Sequence, residues 1–150
     1  MLSGRMVWRI TSVRYADQAF DGEGARRYGG RWNRPGIAVA YCSMTLSLAA
    51  LEFFVHLEPS LAPKGLICVA AEIPGDVSTE EIDPKDLPGD WRSYPAPERL
   101  LDLGTDWARS LRTAVLIVPS SVIPHERNVL LNPVHPEAQK LRIRPSEPFS

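Results

Sequence analysis

Fourteen prolines are spread over a chain of 150 residues, about twice the usual share. Proline removes a backbone donor and fixes its own φ, so it interrupts helix interiors and central strands. The chain must therefore be built from short elements joined by many fixed turns. A domain of this length buries roughly two-thirds of the surface its unfolded chain exposes. With 44% hydrophobic and 23% charged residues, the composition is that of a globular protein. One domain over residues 1–150 with a single core is expected.

Between the prolines, Val7–Val13 alternates around Trp8 and Ile10 and reads as a first strand. Gly22, Gly24, Gly29 and Gly30 then mark a long loop. Ile37–Cys42 is short, apolar and strand-like, and ends by delivering Tyr41. From Thr45 the run TLSLAALEFFVHL lacks glycine and proline and follows hydroxyl residues able to cap it, so a helix is expected. Leu66–Ile73 reads as a strand and Pro74-Gly75 as a turn. Asp76–Gly89 is polar and acidic. Ala96–Leu103 and Thr105–Arg112 suggest two short helices, and Ala114–Val118 is the most strand-like run. Asn128–Leu131 and Leu141–Arg144 complete the strands. Strands and helices mix without βαβ alternation, which favours an α+β fold.

The net charge is −1 and the pI near 6.3, so the molecule as a whole does not attract nucleic acid. Any affinity for an anion has to be local. Cys42 and Cys68 lack the spacing of a zinc site or a redox motif and read as buried free thiols. No run reaches the length of a membrane span and MLSGRMVWRI lacks a signal peptide's apolar region, so the expected location is the cytoplasm, away from any membrane. The acidic positions Glu80, Glu81, Asp83, Asp86 and Asp90 match no calcium or two-metal spacing, so they read as a solvated face and no metal site is expected.

Arg26, Arg27, Arg31 and Arg34 fall within nine positions of RRYGGRWNRPG. Arginine's planar fork matches phosphate or carboxylate bidentately, and Gly29-Gly30 lets backbone N–H groups come close to an anion. Tyr28 and Trp32 add rings suited to a planar heterocycle carrying phosphates, although single-stranded nucleic acid uses the same mixture. The competing reading is a solvated basic loop paired with Asp21 or Glu23. Glu52 lies in an apolar helix, where an ionised carboxylate needs a partner such as Arg31 or a substrate hydroxyl. Glu58, just past that helix, reads as exposed. After the strongest strand, Ser120 or Ser121 could hold a phosphate or a ribose hydroxyl, and Asn128 and Asn132 could satisfy turn backbone. No G-x-S-x-G elbow, Walker A loop or GxGxxG motif is present, and His56, His125 and His135 follow no triad order.

Taken together, GARRYGGRWNRPGIAVAYCSMTLSLAALEFFVHL followed by VPSSVIPHERNVLLNPVHP resembles the RES domain family, toxins of bacterial toxin–antitoxin pairs. The family's arginine falls on Arg31, its glutamate on Glu52 and its serine on Ser120, with Ser121 one position away. A strand-end tyrosine matches Tyr41, and N-x-L-x-N-P-x-H matches Asn128, Asn132 and His135.

The resemblance implies an ADP-ribosyltransferase-like fold with a split, curved sheet around a cleft for NAD, which is substrate rather than cofactor. It implies cleavage of the nicotinamide–ribose bond by hydrolysis or phosphorolysis, or ADP-ribosyl transfer to a protein. It also implies an Xre-type antitoxin that covers the active site in a hetero-oligomer. In that frame Arg31, Tyr41, Glu52 and Ser120 are the expected catalytic set, and Tyr28, Trp32, Ser121, Asn128, Asn132 and His135 the expected substrate contacts. Two rivals remain at this point, a non-catalytic nucleotide-binding module and an RNase toxin, the latter opposed by the acidic pI.

Overall fold

A computed structural model of the protein describes residues 4–57 and 65–150, so Glu58 lies outside the described residues. In chain order the elements are β1 (Arg5–Ser12), α1 (Glu23–Tyr28), β2 (Ala40–Ser43), α2 (Leu46–Val55), β3 (Leu66–Ile73), β4 (Thr79–Glu81), α3 (Glu98–Ser110), β5 (Val115–Pro119), β6 (Arg127–Leu131), β7 (Arg142–Ile143) and β8 (Glu147–Pro148). The fold is mixed α+β. The eight strands among the described residues form one sheet in the order β4-β5-β6-β2-β1-β3-β7, with β8 also on β3, and the sheet curls into a half-barrel.

Both faces of the β5–β6 region are covered, which explains why Ala114–Val118 is apolar throughout rather than alternating. Val115, Ile117, Val129 and Leu131 face one cluster with Val7, Ala71 and Ile73. Leu116, Val118 and Leu130 face the other, against Leu100 and Trp107 of α3. A third cluster seats α2 on the sheet through Ala49, Ile10 and Cys68. Cys42 and Cys68 are buried free thiols.

Three expectations for the backbone change. The glycine-marked loop contains a helix, α1, held by Glu23 pairing with Arg26 and Arg27 one turn on. The acidic stretch contains β4, a short strand lying parallel to β5. Finally, the two short helices expected either side of Gly104 are one, α3. Gly104 does not break it, because the missing side chain is needed: a Cβ there would sit 1.8 Å from the Trp32 carbonyl oxygen. Backbone packing outweighs the roughly 1 kcal/mol helix cost of glycine.

Candidate active site

β1 and β2 share a single registered pair, Trp8 opposite Ser43, whereas β1 pairs with β3 over its whole length. Beyond that pair the two strands part, and the gap is bridged by a side chain: Arg9 Nη1 donates to the Tyr41 carbonyl at 2.9 Å. A cavity of about 350 Å³ lies over this split, lined among others by Arg9, Arg31, Tyr41, Ser43, Glu52 and Asn128. Its size suits a small organic ligand.

Thr45 starts α2 by accepting the Leu48 N–H on its hydroxyl, and that start sets which helix face meets the sheet. Glu52 then falls against the ends of β5 and β6. Its Oε1 accepts from Ser120 Oγ at 2.6 Å and from Asn128 Nδ2 at 2.8 Å. Ser120 is itself fixed, accepting the N–H groups of Val122 and Ile123. Asn128 is oriented by Ser43 Oγ, which donates to Asn128 Oδ1 at 2.7 Å. One carboxylate oxygen is thus pinned from two sides, while Oε2 has no hydrogen-bond partner among the described residues.

The arginine segment is locked from beneath by Tyr41. Its phenol accepts the Trp32 N–H at 3.0 Å and donates to Asn33 Oδ1 at 2.5 Å. Burial pushes the Tyr41 phenol well above its ordinary range. Gly30 is required here, since a Cβ would approach the Tyr41 hydroxyl to 2.7 Å. Asn33, fully buried, donates to the carbonyls of Ala25, Arg34 and Ile37 and closes the loop. Arg31 emerges from this frame with Nη1 on the Trp91 carbonyl and Nη2 on the Ser93 carbonyl. Burial lowers the guanidinium's pKa, and the nearby charge of Glu52 opposes that shift.

The four arginines of the segment therefore separate. Arg26 and Arg27 pair with Glu23, and Arg34 pairs with Glu98 and Asp102. Arg31 has no carboxylate partner among the described residues and borders the cavity. Arg9 is its counterpart on β1, and its Nε is buried without a partner among the described residues. Sequence reasoning missed Arg9. In an alternating strand Arg9 occupies an ordinary polar position, so no local signal set it apart.

Several expected contacts are made to the protein instead. Ser120 is fully buried and turned to Glu52, so it positions the carboxylate and does not reach into the cavity. Trp32 borders the cavity but is 2% exposed, its ring packed with Leu100 and Trp107, so it is a core residue rather than an open stacking platform. Asn132 lies at the opposite end of β6 from Asn128, about 13 Å along the strand, and is spent on the Ala108 carbonyl and the Val134 N–H. His135 caps a short 3-10 helix by accepting the Glu137 N–H. Neither of the last two touches the cavity. Ser121 lines it, and Tyr28 stands at the mouth of a neighbouring cavity. Ser43 was not foreseen because its role depends on register, which sets it opposite Asn128. Asn33 was not because its role depends on how the loop folds around the Ala25 and Ile37 carbonyls and the Tyr41 phenol.

Among the described residues no group of three or more His, Cys, Asp and Glu side chains gathers as a metal site would require. The acidic run is solvated and partly paired, with Glu80 on Arg112 and Glu81 on Arg127. No described helix is long and apolar enough to cross a membrane.

The model of the RES domain family matches residues 6–150. This chain belongs to the RES domain family. The RES chain is 40% identical over 141 residues to the Prs ADP-ribosylating toxin of Sphingobium sp. (strain YBL2), covering 91% of this chain and 88% of that protein. It is 41% identical over 134 residues to Toxin Res of Yersinia enterocolitica, covering 89% and 88%. Its fold matches a chain of the M. tuberculosis MbcT–MbcA toxin–antitoxin complex with a TM-score of 0.78, at 17% identity, over 100% of this chain and 86% of that one. The curled α+β sheet is thus an architecture shared with that chain of a toxin–antitoxin complex.

Proposed function

We propose that this RES domain is the toxin of a toxin–antitoxin pair and cleaves the bond between nicotinamide and ribose in NAD. The observation that carries the reading is Glu52, with Oε1 pinned by Ser120 and Asn128 and Oε2 uncommitted beside a cavity that also holds Arg31 and Arg9. Breaking the glycosidic bond leaves positive charge on the ribose C1′ and ring oxygen, as in glycoside hydrolysis. A carboxylate fixed beforehand stabilises that charge without reorganising during the reaction. Oε2 is also free to accept from a ribose hydroxyl. The electron pair of the broken bond goes to nicotinamide, which leaves neutral, so no general acid is needed.

Arg9 and Arg31 supply the anion-binding half. Both present guanidinium groups without carboxylate partners among the described residues, and a pyrophosphate bridging them satisfies donors that the protein leaves open. Tyr41 holds the loop that carries Arg31. Names of relatives support the class of activity, one being an ADP-ribosylating toxin and another Toxin Res. That first name also favours a second outcome, in which a protein side chain replaces water or phosphate as acceptor. A structural neighbour from a toxin–antitoxin complex supports an antitoxin partner, which the family resemblance makes an Xre-type protein covering the cleft in the cytoplasm.

The test is to incubate the purified protein with NAD, with and without phosphate and with cell extract, and to identify products by mass spectrometry. Nicotinamide release is expected, and Glu52→Gln is expected to reduce it at least about a hundredfold while keeping both hydrogen bonds to the pinned oxygen. No release and no transfer to protein under any of these conditions would sink the proposal.

A further inference from the structure

A second cavity of about 480 Å³ adjoins the first and shares Gly29, Gly30, Arg31 and His56 with it. Its outer wall carries two tyrosines, Tyr28 and Tyr94, that are 82% and 81% exposed. The Tyr94 ring stacks on His56 at 5.8 Å between centroids and 26° between planes. Tyr94 follows the segment whose carbonyls, on Trp91 and Ser93, hold the Arg31 guanidinium. The rings and the anion-binding arginine therefore sit on one small framework.

We infer that this second cavity is the subsite for the adenine base of the substrate, with Tyr94 as its stacking platform. The inference rests on the NAD reading above and deepens it: the enzyme recognises a dinucleotide, and a nicotinamide mononucleotide fills only half of the cleft. Three observations carry it. The cavities meet at Arg31, where a pyrophosphate joins the two halves of a dinucleotide. The one other arginine lining the second cavity, Arg34, is already neutralised by Glu98 and Asp102, so the pocket favours an uncharged ring over another phosphate. Exposed aromatic rings beside apolar Pro35, Pro95 and Leu101 present flat surface at which a base stacks without needing matched hydrogen bonds.

The experiment measures AMP binding by calorimetry to the full chain, to Tyr94→Ala and to Tyr94→Phe, with turnover of NAD and of nicotinamide mononucleotide by the same proteins. AMP binding is expected to weaken about tenfold in Tyr94→Ala and to return to within about threefold in Tyr94→Phe, in keeping with base stacking on a ring. Tyr94→Ala is expected to raise KM for NAD by a similar factor, with kcat and mononucleotide turnover unchanged. Absence of AMP binding, equal binding by wild type and Tyr94→Ala, or equal loss on both substrates overturns the inference. Tyr94-dependent AMP binding without cleavage of either substrate would instead overturn the proposed function and leave this subsite standing.

Discussion

Replacing Ser120 with alanine separates the two roles a serine can have at this position. In the structure its hydroxyl makes three hydrogen bonds, one to the Glu52 carboxylate and two from the N–H groups of Val122 and Ile123. A hydrogen bond to a charged group contributes about 1.5–3 kcal/mol, and an N–H left without its acceptor costs about 1 kcal/mol or more. Val122 and Ile123 are half-buried, so water replaces part of the loss for them. A destabilisation of about 3 kcal/mol results, against a total of about 5–15 kcal/mol for a domain. For this chain length that lowers Tm by roughly 6–12 °C. Glu52 would keep only Asn128 as an anchor, and kcat for nicotinamide release should fall about 10- to 100-fold with KM for NAD within about twofold. Urea unfolding and initial-rate kinetics check both numbers. Ser121→Ala is the control, since the Ser121 side chain makes no such bond, and its stability should stay within about 0.5 kcal/mol of wild type. If Ser120→Ala were as stable as wild type, or raised KM while sparing kcat, the serine would be touching substrate and the positioning role would be wrong.

Gly104→Ala should destabilise by more than about 2 kcal/mol in urea unfolding despite alanine's better helix propensity, because its Cβ meets the Trp32 carbonyl at 1.8 Å. Tyr41→Phe removes both hydrogen bonds that its phenol makes to the arginine segment, and KM for NAD should rise several-fold more than kcat falls. Arg9→Ala should raise KM for NAD about tenfold or more, with Arg9→Lys only partly restoring it, measured by initial rates. Burial raises the Cys42 thiol from its ordinary 9.0 to about 12. Unfolding therefore favours ionisation, and stability is fully present below pH 9.0 and falls above it by about 1.4 kcal/mol per pH unit until the folded thiol itself ionises. Tyr41 adds a second loss that begins above its ordinary 10.0. Denaturant titrations between pH 8 and 11 should show a slope that is shallower in Cys42→Ala.

Much of the fold could be read from local pattern. Leu66–Ile73 is a strand at its expected bounds, and α2 begins where Thr45 caps it, because strand periodicity and N-capping are properties of a few consecutive residues. The composition of RRYGGRWNRPG suggested anion binding, whereas the structure pairs Arg26, Arg27 and Arg34 with carboxylates and leaves Arg31 without one among the described residues. The motif order pointed to the RES domain family.

Register and packing decided the rest. The sequence cannot show that β1 and β2 part beyond Trp8 and Ser43, which opens the cleft and brings Arg9 into it. Nor can it show that Ser43 lies opposite Asn128, or that Gly104 lies against Trp32, since these neighbours are 85 and 72 positions apart. Ser120 and Asn132 are equally polar in the sequence, yet one turns to Glu52 and the other to a helix carbonyl. A residue's type fixes which bonds it can make. Its tertiary neighbours, set by strand register and helix seating, fix which of those bonds are made.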